Sequence, residues 1–140
     1  MIVIEKSWAD FYRFINISLF EKEKQMKKHT LFMLNPWMEA DGQGPFYCPG
    51  CGVVEGFFAY SMEVKNAINI VLVDFQRPRP MVIKLLGVEN QGCPVLVLNG
   101  DDAPPENSKK SFSTGKFFID DPVEICDFLG KTFDGVRPHP

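Results

Sequence analysis

Four consecutive residues, Cys48-Pro49-Gly50-Cys51, carry the most chemistry in this sequence. Two cysteines at this spacing lie one helical turn apart on one side, close enough to form and break a disulfide. Only a thiolate attacks a disulfide, and a free cysteine at neutral pH is mostly protonated. A helix start favours the thiolate, because its unpaired amides and partial positive charge stabilise an anion there. The flanking sequence predicts such a start: an apolar strand over 30–35, a Gly/Pro-rich loop over 35–46, then a helix over 48–61. Cys48 is expected at the solvent-facing end as nucleophile, with Cys51 as the thiol that resolves a mixed disulfide. Pro49 fits a first turn that needs no amide donor.

A structural zinc half-site competes with this reading, and it needs two further ligands, normally another close pair. Cys93 and Cys126 stand alone, and His29 and His139 lie near the two ends of the sequence. No metal site is expected, and thiol chemistry is favoured. Two alternatives stay open: a binding or redox-sensing module with a vestigial motif, and a soft-metal or iron–sulfur carrier using Cys48, Cys51 and Cys93. Cys93 reads first as a small buried hydrophobe, and Cys126 as core of the last helix. Arg77 and Arg79, flanked by Pro78 and Pro80, either grip a carboxylate or stand as solvated charges or structural ion pairs.

The elements that must position these residues follow from periodicity and punctuation. A second strand over 69–75 has the aliphatic composition of a buried parallel strand. Pro80 opens a short helix that Gly87 stops. A third strand covers 95–98, a long polar loop 99–112 and a fourth strand 116–119. Asp121-Pro122-Val123-Glu124 starts the last helix, with an acid at the cap and a proline at the first position. The order is a parallel βαβ unit followed by a helix, a hairpin and a closing helix. Ahead of this domain, taken as 29–140, residues 1–28 read as an N-terminal helical extension. Ser7 and Asp10 form a capping pattern, and Trp8, Phe11, Tyr12, Ile15 and Leu19 recur at helical spacing. So wide an apolar face packs on the domain or joins two copies as a homodimer.

With these motifs in place, the chain resembles the thioredoxin and glutaredoxin superfamily, including the N-terminal domain of glutathione transferases, from residue 30 to about 130. Cys93-Pro94, just before Val95-Leu96-Val97-Leu98, is similar to that family's cis-proline, which faces the active cysteines and presents backbone to the substrate thiol. Phe118-Ile119-Asp120-Asp121 resembles the segment that places an acid near the glutamyl amine of glutathione. The resemblance implies an α/β, thioredoxin-like fold: a four-stranded mixed sheet with flanking helices (β-α-β-α-β-β-α) plus the extra N-terminal helix. It implies Cys48 and Cys51 as catalytic, and Tyr47, Cys93, Pro94 and Asp121 as substrate-binding. It implies no required cofactor, glutathione as a linked thiol, and a protein or small-molecule disulfide as partner. Three further segments, Phe46-Tyr47-Cys48-Pro49, the run from Asp74 to Pro80 and Glu89-Asn90-Gln91-Gly92, resemble a bacterial thioredoxin-like family of unknown function. That likeness brings a fold and no activity. The chain departs from the superfamily in having Tyr47 where a tryptophan is usual, and Pro122 where transferases carry a serine. With no all-helical second domain in the sequence, a complete transferase is not expected.

Composition bounds the rest. At 140 residues one domain is expected, and a net charge of −3 offers no basic bulk for nucleic acid. No apolar run is long enough to span a bilayer, and the start lacks the features of a secretory signal, so a cytoplasmic address is expected. In that setting four cysteines read as reactive or buried thiols before structural disulfides.

Overall fold

The computed structural model describes residues 28–100 and 103–140. The expected N-terminal helix and the homodimer through it lie outside the described residues. Within them the order is β1 (Thr30–Leu34), α1 (Pro49–Tyr60), α2 (Met62–Ala67), β2 (Asn69–Val73), α3 (Pro80–Leu86), β3 (Val95–Val97), β4 (Lys109–Lys110), β5 (Phe117–Ile119) and α4 (Pro122–Thr132). The strands form one mixed sheet in the order β2-β1-β3-β5-β4. β1 and β2 run parallel, with Thr30 opposite Asn69 and Leu34 opposite Val73, while the remaining pairs are antiparallel.

Side chains alternate across this sheet, and the alternation divides the core in two. Leu31, Met33, Leu96 and Ile119 face one side, where they pack with Val54 and Phe58 of α1, Val64 of α2, and Ile125 and Leu129 of α4. Phe32, Val95, Val97 and Phe118 face the other, against Val82 and Leu86 of α3. Helices therefore cover both faces, which is why the central strands read as continuous apolar runs rather than alternating ones.

The strand count corrects the sequence reading: the described residues form five strands, not four. The extra strand, β4, lies inside the segment expected to be a plain loop. Its two exposed lysines carry no apolar pattern, and lysine is what a sheet edge uses to discourage further pairing. A second difference is α2, separated from α1 by Ser61 at φ −142°, ψ 64°. The other elements fall within two residues of their expected bounds. Gly87 ends α3 at φ +83°, and a Cβ there would also meet Glu89 Oε2 at 2.5 Å and Ser113 Oγ at 2.6 Å. The last turn of α3 is closed by the hairpin, since Ser111 Oγ donates to Leu86 O at 2.8 Å and Thr114 Oγ1 to Leu85 O at 2.7 Å. No helix of the described residues is long and apolar enough to cross a membrane.

Candidate functional site

The register sets where the cysteines meet. The ends of β1 and β2 and the beginning of β3 lie at one end of the sheet. Chain leaving β1 makes a small hairpin, with Trp37 and Phe46 bridged through backbone bonds of 3.0 and 2.8 Å, before it enters α1. Cys48 is the N-cap of α1, and Pro49 is its first residue. The Cys48 sulfur accepts a hydrogen bond from Cys51 N–H at 3.2 Å, so it occupies the place a capping oxygen would take. The same thiol donates to the carbonyl oxygen of Cys93 at 3.8 Å.

Cys51 lies one turn in, and its sulfur accepts from Leu34 N–H at 3.5 Å. Burial pushes its thiol up to about 12, the Cys48 side chain adds to the rise, and the Leu34 amide opposes it. The cysteines are free, and both members of the pair are buried, Cys48 at 8% exposure and Cys51 at 6%. The expectation that Cys48 faces solvent is thus corrected. A sulfur that caps its own helix turns inward over the first turn, and the Cys93 carbonyl stands against it.

Cys93-Pro94 is a cis peptide. Pro94 is buried against α1: a Cβ on Gly50 would lie 3.0 Å from Pro94 Cδ and 3.0 Å from Pro122 Cγ. Gly50 is therefore where the starts of α1 and α4 and the Cys93-Pro94 turn close on one another, and the missing side chain permits it. Tyr47, 71% exposed, lays its ring over Gly52, with Cε2 at 3.0 Å from where a Cβ would be. Cys93 brings its carbonyl to Cys48, while its side chain packs against the second core cluster, beyond the sheet from Cys51. Burial raises its thiol pKa, and the neighbouring Arg79 guanidinium opposes the rise.

Asp121 performs the capping role read from sequence: its Oδ1 accepts from Glu124 N–H at 2.9 Å. Cys126 is core, as expected, with its thiol pushed up to about 11 by burial. Among the described residues no group of three or more His, Cys, Asp or Glu side chains is arranged to hold a metal ion. His29 Nδ1 instead accepts from Asn99 N–H at 2.8 Å, and its ring meets Phe128 edge-on.

Sequence reasoning left Arg77 and Arg79 as alike, and the structure separates them. Arg77 is exposed, whereas Arg79 is 6% exposed, and its guanidinium donates to three main-chain carbonyls as well as meeting the Cys93 thiol. Nε donates to Asp74 O at 3.2 Å, one terminal nitrogen to Gln91 O at 2.7 Å and the other to Phe75 O at 2.5 Å. Nothing in the local composition marks this, because the acceptors are backbone atoms and carry no residue type.

Fold and site together define a mixed α/β protein with a buried dithiol at a helix start, beside a cis-proline turn. The chain belongs to the family described as protein of unknown function (DUF3088), whose model matches residues 28–137. This agrees with the narrower resemblance, to a family without an assigned activity. No curated protein and no solved structure matches.

Proposed function

We propose that this chain is a thiol–disulfide oxidoreductase with a thioredoxin-like arrangement, acting through Cys48 and Cys51. The observation that carries the reading is the placement of the pair: Cys48 caps the helix with its sulfur held by an amide of the first turn, and Cys51 lies one turn in with its thiol kept protonated by burial. The Cys48 thiolate attacks one sulfur of a substrate disulfide, forming a mixed disulfide and releasing the first substrate thiolate, which takes up a proton. Cys51 then loses its proton and attacks Cys48 Sγ, releasing the second substrate thiol and leaving a Cys48–Cys51 disulfide. Two equivalents of an external thiol restore the dithiol, and glutathione is the candidate reductant. Tyr47 and the Cys93-Pro94 turn border the approach to Cys48, and Asp121 stands at the start of the adjoining helix.

The test is turnover of bis(2-hydroxyethyl) disulfide with reduced glutathione as donor. Cys48→Ser should abolish it, and Cys51→Ser should accumulate a mixed disulfide visible by mass spectrometry. Absence of both turnover and mixed disulfide in the unaltered protein would leave the second reading, a binding or sensing module. That reading draws on the 8% exposure of Cys48, which restricts direct access to the sulfur.

A further inference from the structure

We propose that Arg79 is a positioning residue for the dithiol: one buried guanidinium that holds, from behind, both stretches of chain flanking Cys48. The inference rests on reading Cys48 and Cys51 as an exchange site. It absorbs two segments the sequence singles out without a role, 74–80 and 89–92, which prove to be two sides of one cluster. Arg79 and Gln91 are buried at 6% and 8% exposure. Besides the guanidinium bonds to the carbonyls of Asp74, Phe75 and Gln91, Arg79 N–H donates to Gln91 Oε1 at 2.9 Å, and Gln91 Nε2 donates to Val88 O at 2.9 Å.

From this hub two paths reach the sulfur. Gln91 stands two residues before Cys93, whose carbonyl receives the Cys48 thiol, and Pro94 abuts Gly50. On the other side the guanidinium lies over the Phe75 ring at 5.8 Å, and Phe75 stacks on Trp37 with ring centroids 4.2 Å apart. Trp37 is bridged to Phe46, which leads through Tyr47 into Cys48. Both paths need the planar, five-donor fork of arginine, since a lysine ammonium cannot meet three divergent carbonyls from one place. No ion pair among the described residues involves Arg79. The neighbouring cavity of about 320 Å³ is lined by Asp74 as well as Arg79, so it presents no surplus charge for an anionic ligand.

The experiment uses the full chain and Arg79→Met, Arg79→Lys and Gln91→Met. It reads three quantities: kcat/KM with bis(2-hydroxyethyl) disulfide, the dithiol–disulfide equilibrium in glutathione buffers, and the rate of Cys48 alkylation by iodoacetamide at pH 7. Mass spectrometry locates the label. Small displacements of reacting groups are costly, so Arg79→Met should lower kcat/KM at least about tenfold. It should also shift the equilibrium at least about threefold, roughly 15 mV. The alkylation rate should change by at least about threefold as the Cys93 carbonyl moves from the sulfur. Arg79→Lys keeps the charge without the fork and should behave like Arg79→Met. Gln91→Met leaves the guanidinium in place, moves the same quantities in the same direction, and decides the matter if Arg79→Met does not fold. A folded variant whose alkylation rate and equilibrium stay within threefold of the parent overturns the proposal, as does full activity in Arg79→Lys. If the unaltered protein shows no turnover, the oxidoreductase reading falls, while the alkylation rate still decides whether Arg79 positions Cys48.

Discussion

Cys51 and Cys126 keep their protons to about pH 12 and 11 in the folded chain, because burial disfavours the thiolate. An unfolded cysteine releases its proton near pH 8.5. The stabilisation from keeping these thiols neutral is therefore fully present below pH 8.5 and is lost as the pH rises towards the folded values. Urea midpoints of the reduced protein should fall between pH 8 and 10.5, and Cys126→Ala should flatten part of that fall. Equal pH slopes in the two proteins would remove Cys126 from the account. At the same scale Asp121 has two readings that substitution separates. Asp121→Asn keeps an oxygen for Glu124 N–H, so stability should change little, whereas Asp121→Ala should cost about 1 kcal/mol. If the charge also contacts a substrate amine, Asp121→Asn should raise KM for glutathione with the urea midpoint unchanged.

At the scale of elements, the sequence was most legible where a chemical type marks a boundary. Proline and aspartate announced α4, Pro80 and Gly87 bracketed α3, and short apolar runs marked β1, β2 and β3. Gly87 offers a direct check: at φ +83°, with Glu89 and Ser113 crowding its missing Cβ, Gly87→Ala should destabilise by about 1 kcal/mol or more. Chemical denaturation measures it, and a neutral result would mean that the turn relaxes freely. Illegible were elements held by backbone atoms or by position alone. β4 consists of two lysines and exists because β5 offers it an edge, and α2 follows from a break at Ser61. In the candidate site the dithiol and the cap could be read directly. The inward turn of Cys48 and the burial of Arg79 could not, since the first depends on the carbonyl of a distant segment and the second on backbone acceptors that carry no residue type.

For the whole molecule, the closing contact is made without a side chain. After α4 the chain turns back, Gly135 N–H donates to Gly130 O at 2.8 Å, and a Cβ on Gly130 would run into the carbonyl oxygen of Val136. Gly135 then passes the junction of α1 and α2, where a Cβ on it would lie 3.7 Å from Ser61 Oγ. Gly130→Ala must push this return segment outward and should cost about 1–3 kcal/mol, read from urea midpoints. Retention of full stability would show that the last residues contribute little to the packed body.

The division of the core into two layers has a practical outcome for an oxidising environment. Cys48, Cys51 and Cys126 belong to one layer and Cys93 borders the other, so only Cys93 is set apart from the remaining thiols by the core. Peroxide would meet these sulfurs from two sides of the sheet, and a sulfenic acid formed at Cys48 would be captured by Cys51 as a disulfide. The sequence in which they become sulfenic acids would chart which parts of the molecule breathe first.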